Sequence, residues 1–120
     1  METNASIDST TAIAALAALA QDHRLAIYRL LVQAGEKGMA AGAIAEALDL
    51  PASSLSFHVG QLRLAGLIQQ ERQHRSLIYR ADYAAMQDLI AYLLENCCAG
   101  PACAPNPDYS PTAPGGNSGE

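Results

Sequence analysis

The chain has 120 residues, half of them apolar and only 16% charged, with a formal net charge of -5. That is room for one small domain, and it excludes both a two-lobed enzyme and wholesale disorder. Trp is absent and Phe occurs once, so the core leans on Ala and leaves apolar surface for a second subunit to complete.

In chain order, residues 1–10 read as a flexible N-terminus with no basic start before an apolar run. The apolar stretch Ala12–Ala20 is far shorter than the roughly 18–20 residues a bilayer span needs, so a cytoplasmic protein without a membrane partner is expected. Thr11–Ala20 is apolar nearly all round, the pattern of a helix covered on more than one side. Asp22 is placed to cap a second helix reaching Ala34, with Leu25, Tyr28 and Val32 on one face and Ile27, Leu30 and Leu31 beside them.

Gly35 and Gly38 break the pattern, and Ala40–Leu48 makes a short third helix that turns Ile44, Ala45 and Leu48 inward. After Asp49-Leu50, Pro51 suits the first turn of a fourth helix, which buries Leu55, Val59 and Leu62 and ends at Gly66. The period then changes. Residues 68–72 and 77–80 read as two short strands around Gln73-His74-Arg75-Ser76, a turn without Gly and so expected to be a longer loop. Tyr83–Cys98 is a strongly periodic last helix, with Met86, Leu89, Ile90, Leu93 and Cys97 along one side. Residues 99–120 hold five of the six prolines and a Gly-rich end, the composition of a disordered tail.

Charge is unevenly spread. Residues 51–80 carry Arg63, Arg72, Arg75 and Arg80 against Glu71 alone, although the chain as a whole is acidic. Phosphate binding follows the local charge, because the Debye length is only about 10 Å at moderate salt. The two-residue link between the third and fourth helices is that of a helix-turn-helix. Ser53, Ser54 and Ser56 put hydroxyls near a helix N-terminus, suited to phosphate. Phe57, His58, Gln61 and Arg63 occupy the rest of the exposed helix, with His58 and Gln61 long enough to reach base edges. Arg72, His74 and Arg75 on the hairpin are candidates for the adjacent backbone or minor groove. Double-stranded operator DNA is the expected partner.

The stretches Ala18–Leu31, Ile44–Leu48 and Leu55-Ser56-Phe57-His58-Val59 through Gln61-Leu62 to Ala65-Gly66-Leu67-Ile68 resemble the ArsR/SmtB family. The resemblance spans residues 11–98 and implies a mainly α fold with a small β-hairpin wing, a winged helix-turn-helix. It also implies a homodimer through the first and last helices, and a repressor that leaves DNA on sensing metal or metalloid ions. Phe57 stands where the family often has a second His, and the wing turn lacks the family's common Gly.

Cys97, Cys98 and Cys103, the only cysteines, lie within seven residues. Gly100-Pro101 is expected to bend the chain so that Cys103 can fold back, while adjacent helical cysteines point about 100° apart and need some unwinding or a lone-pair-bearing trigonal ion to converge. As(III) and Sb(III) take three thiolates in a pyramid, whereas structural zinc prefers four ligands and finds no His or further Cys nearby. The family's familiar Cys-x-Cys site before the recognition helix is absent, since residues 39–55 hold no Cys. Its zinc site on the last helix is incomplete, with Asp88 and Glu95 but no His. The trio is similar to a third arrangement in some arsenic-responsive members, which makes As(III) the expected inducer, with Sb(III) as an alternative.

A thiol redox sensor or a sensor of another soft metal ion on the same fold is the rival reading. A cysteine enzyme is disfavoured, because no His or basic residue lies near in sequence to activate a thiol. A dimeric interaction module without DNA binding sits poorly with the basic helix–hairpin segment.

Overall fold

A computed structural model describes residues 7–97. Its elements are α1 (Ser9–Leu19), α2 (Asp22–Ala34), a 3-10 turn at Gly35–Lys37, β1 (Met39–Ala40), α3 (Ala41–Leu48), α4 (Ala52–Leu64), β2 (Ile68–Gln73), β3 (Ser76–Ala81) and α5 (Tyr83–Leu94). The chain is mainly helical with a small antiparallel wing, as expected. Among the described residues no helix is long and apolar enough to cross a membrane.

Local chemistry sets the helix starts. Asp8 accepts a hydrogen bond from the Thr11 amide at 2.9 Å, so α1 begins at Ser9, earlier than its apolar run indicates. That bond also holds the Asp8 carboxyl below its usual pKa. The cap of α2 is Gln21 rather than the expected Asp22: the longer amide side chain accepts from the Arg24 amide at 2.9 Å. Asp22 becomes the first helical residue, where a carboxylate still favours the positive end of the helix. Asp82 caps α5 by accepting from the Ala85 amide at 3.0 Å. Pro51 sits one position ahead of the first turn of α4 and gives its carbonyl to the Leu55 amide at 3.0 Å.

The helix ends are equally specific. Beyond α4, the Gly66 amide donates to Arg63 and the Leu67 amide to Leu62, a Schellman closure that seals Leu67 over Leu62. Beyond α3, the same pattern joins Asp49 to Glu46 and Leu50 to Ala45, with Asp49 left-handed at φ 55°. The last helix stops at Leu94 and not at Cys98 as its periodicity predicts. Glu95 is extended and Asn96 left-handed at φ 57°, a conformation Asn tolerates, so the helical ladder is broken before the first cysteine.

The sheet has order β1-β3-β2. β2 and β3 pair from Ile68↔Ala81 to Gln73↔Ser76, and β1 adds Met39↔Tyr79 and Ala40↔Ile78 on the other edge of β3. The expected longer wing loop is instead a two-residue turn, His74-Arg75, made possible by a positive φ of 58° at His74. His, though less adaptable than Gly, reaches this region more readily than most residues. β1 was not legible in the sequence. It follows Gly38, whose φ of +66° brings the backbone so close to β3 that a Cβ there would collide with the Tyr79 carbonyl oxygen.

The core gathers Ile27 and Leu31 of α2, Ile44 of α3, Leu62 of α4 and Leu67, all essentially fully buried. On α2 the inward set is Ile27, Tyr28 and Leu31, while Leu25 and Val32, expected beside Tyr28, remain exposed. α1 buries only Ala12, Ala15 and Ala18, small residues that let it lie close to its neighbours. Its larger side chains, Ile13 and Leu16, face out. α5 packs on α1 with Met86 and Leu89 inward but leaves Ile90, Leu93 and Leu94 exposed.

Candidate nucleic-acid interface and cysteine site

α3 and α4 are joined by Asp49-Leu50-Pro51 and form a helix-turn-helix that presents α4 at the surface. Leu55, Val59 and Leu62 hold α4 to the core. On the solvent side of the helix, Ser53, Ser56, Phe57 and Arg63 are exposed. These four share the outward side.

The other α4 candidates lie on a flank. Ser54, His58 and Gln61 are half-buried toward α1 and α2. Gln61 lines an open cleft between α1 and α4 with Ala14, Ala17, Ala18, Arg24 and Leu64. His58 Nδ1 lies 3.3 Å from the Arg24 guanidinium, and that guanidinium also donates through Nε to the Ala18 carbonyl at 2.7 Å. The His23 ring sits 5.4 Å from the His58 ring, and Phe57 meets His58 edge-on at 5.5 Å. Burial, then the neighbouring Arg24 and His23, push the His58 pKa below its ordinary value, which favours the neutral imidazole. A guanidinium can only donate, so Nδ1 accepts and the ring proton resides on Nε2.

Arg24 and His23 were not identified as site residues from the sequence. They are 34 and 35 positions from His58, and nothing local in the chain announces the contact.

On the wing, Arg72, His74 and Arg75 are exposed, the last two at the tip. Arg80 is committed elsewhere: it pairs with Glu71 at 2.7 Å and donates to the Glu36 carbonyl at 2.9 Å. The local positive charge therefore resides on Arg63, Arg72 and Arg75, which make no ion pair among the described residues.

Cys97 is half-buried three residues past the end of α5. Cys98 and Cys103 lie outside the described residues, as does the tail expected at 99–120. Among the described residues no three His, Cys, Asp or Glu side chains converge as a metal site. α5 ends at Leu94, so Cys97 follows in a 3-10 turn and not in the α-helix expected to reach Cys98.

Comparison with known proteins agrees with this geometry. A family model described as a helix-turn-helix domain matches residues 19–71. No curated protein matches the chain. Among solved structures, NolR from Sinorhizobium fredii is similar at 30% identity and a TM-score of 0.58, over 72% of this chain and 83% of that one. HlyU from Vibrio cholerae is similar at 27% identity and a TM-score of 0.58, over 78% and 94%; it is also known in a reduced form. A possible ArsR-family regulator from Mycobacterium bovis, described as a homodimeric winged helix-turn-helix DNA-binding domain, is similar at 26% identity and a TM-score of 0.60, over 71% and 77%.

Proposed function

The chain belongs to the winged helix-turn-helix transcriptional regulators of the ArsR/HlyU type, and on that premise we propose that it is a homodimeric repressor released from operator DNA by As(III). The observation that carries the DNA half is the exposed side of α4, with its hydroxyls and Arg63, together with a wing whose Arg72 and Arg75 have no acidic partner among the described residues. The serines and unpaired amides of the first turn of α4 suit phosphate oxygens. The arginines supply the charge that displaces counterions.

The dimer half rests on Ile13 and Leu16 of α1 and Ile90, Leu93 and Leu94 of α5, too much apolar surface for a small monomer to leave in water. A two-fold axis through these helices sets the two α4 helices one turn of DNA apart, about 34 Å. The sensing half rests on the three thiols of Cys97, Cys98 and Cys103, the first of which lies three residues past the end of α5. Arsenous acid exchanges three hydroxyls for three thiolates: three As–S bonds form, three As–O bonds break, and the thiol protons leave in three waters. Closing that ring at the end of α5 redirects the helix end and changes the spacing of the α4 pair. A hundredfold loss of DNA affinity needs a coupling of only about 2.7 kcal/mol. Sb(III) has the same three-thiolate chemistry and is the alternative inducer.

Titrating As(III) onto the operator complex of the intact chain tests this, beside Cys97→Ser, Cys98→Ser and Cys103→Ser. Each variant keeps DNA binding and loses most of the release; release from a chain truncated before Cys97 refutes the scheme. The second reading, a thiol redox sensor, is favoured by the reduced form in which the similar HlyU is known. As(III) under fully reducing conditions separates the two, because only a metalloid sensor then leaves DNA.

A further inference from the structure

We propose that Phe57 is a specificity-determining residue that reads the 5-methyl groups of thymine in the major groove. The inference rests on the DNA-binding reading and adds what α4 reads there. Phe57 is the only Phe of the chain and is 59% exposed, on the side of α4 opposite Leu55, Val59 and Leu62. Its helical neighbours are Ser54 and Gly60 three residues away, Ser53 and Gln61 four away and Leu64 seven away; of these Ser54 and Gln61 are half-buried on the flank.

The outward stripe of Ser53, Phe57, Gly60 and Leu64 holds no Asn, Gln, Arg or Lys, and Gln61 beside it lines the α1 cleft, so the bidentate pairings that usually identify guanine or adenine are absent from the stripe. Gly60 leaves open space beside the ring, since a Cβ there would meet nothing within 4 Å. The edge-on contact with His58 at 5.5 Å steadies the ring, so little side-chain freedom is lost on binding. A bare, fixed aromatic face next to a gap accepts an apolar group, and the thymine methyl is the apolar group that the major groove offers. Ser56 and Arg63 together on one flank of the ring suit the DNA backbone, which makes DNA rather than an apolar protein the occupant.

The test starts from a duplex selected by the full chain out of a random pool. Each thymine in turn is replaced by deoxyuridine, which removes the methyl and keeps the base pairing, and Kd is measured by fluorescence anisotropy at fixed salt. At one or two positions in each half-site, the wild type loses affinity about fourfold on losing one methyl. Phe57→Ala, at an exposed site and with its melting temperature checked, binds the thymine duplex more weakly and no longer distinguishes the two bases. Equal binding of thymine and uracil by the wild type overturns the proposal, as does discrimination that survives in Phe57→Ala. A change of oligomeric mass in Phe57→Ala also overturns it, by making the stripe a contact between copies. If DNA is bound in a salt-sensitive way without methyl discrimination, this inference alone falls; if no duplex is selected, the DNA-binding reading falls with it.

Discussion

Removing the charge at the wing tip should flatten the salt dependence of DNA binding by a calculable amount. Arg75 is exposed and has no ion-pair partner among the described residues, so Arg75→Ala removes one cation from each protomer and leaves the core untouched. Affinity for B-DNA falls with salt at a slope of about −0.9 for each phosphate neutralised. If Arg63, Arg72 and Arg75 each meet one phosphate in both halves of a dimer, about six contacts give a slope near −5.4. Raising salt from 50 to 200 mM then weakens the wild type roughly 1,800-fold. The variant, with about four contacts, weakens roughly 150-fold over the same range. Fluorescence anisotropy on one operator duplex across that series measures both slopes. The control is Glu71→Gln combined with Arg80→Gln, which deletes the 2.7 Å ion pair without changing net charge and leaves the slope as it was. An unchanged slope in Arg75→Ala, or an equal flattening in the control, would refute the assignment of charge to the wing tip.

Four further outcomes follow from the packing. His58 has a depressed pKa in the fold, so its contribution to stability is present above pH 6.5 and fades as pH drops toward the lowered value; the melting temperature of His58→Gln should therefore change less between pH 7.5 and 5 than that of the wild type. The Tyr28 hydroxyl is buried without a hydrogen-bond partner among the described residues, which pushes its pKa up, and Tyr28→Phe should be neutral or stabilising by about 1 kcal/mol in urea unfolding. Gly38→Ala forces a backbone collision and should cost about 3–5 kcal/mol, against about 1–3 for Gly35→Ala, which has open space around it; equal losses would remove the collision from the account. Ile90→Glu with Leu93→Glu should shift the chain to a monomer in sedimentation and weaken operator binding roughly a hundredfold, an avidity loss that a functional monomer would not show.

The helices were legible because their signals are local. Pro51 marks the start of α4, Gly66 its end, and the spacing of Leu55, Val59 and Leu62 gives the inward face. What escaped is held together by contacts distant in sequence or by backbone states that no residue type uniquely marks. β1 is two residues long and exists only because β3, some 40 residues later, supplies its partners. The absence of Gly from the wing turn predicts a longer loop, and His74 takes the left-handed role instead. The apolar period of α5 runs through to Cys98, but the break at Glu95-Asn96 depends on dihedral angles that period does not encode. The outward side of α4 was legible as a set of residue types. Which of them turn to the flank was not, since His58 meets Arg24 of α2 and Gln61 lines a cleft against the alanines of α1, contacts distant in sequence.

The turn at His74 has a further consequence for how the hairpin can vary. A glycine would adopt the same corner with about 1 kcal/mol less backbone strain. It would also leave the extremity of the molecule bare. By closing the corner with an imidazole, the chain accepts a slightly weaker hairpin and gains a donor at the point where the two strands reach farthest from the body. Drift toward an easier corner there would make the fold sturdier and, on the proposed reading, its hold on DNA weaker.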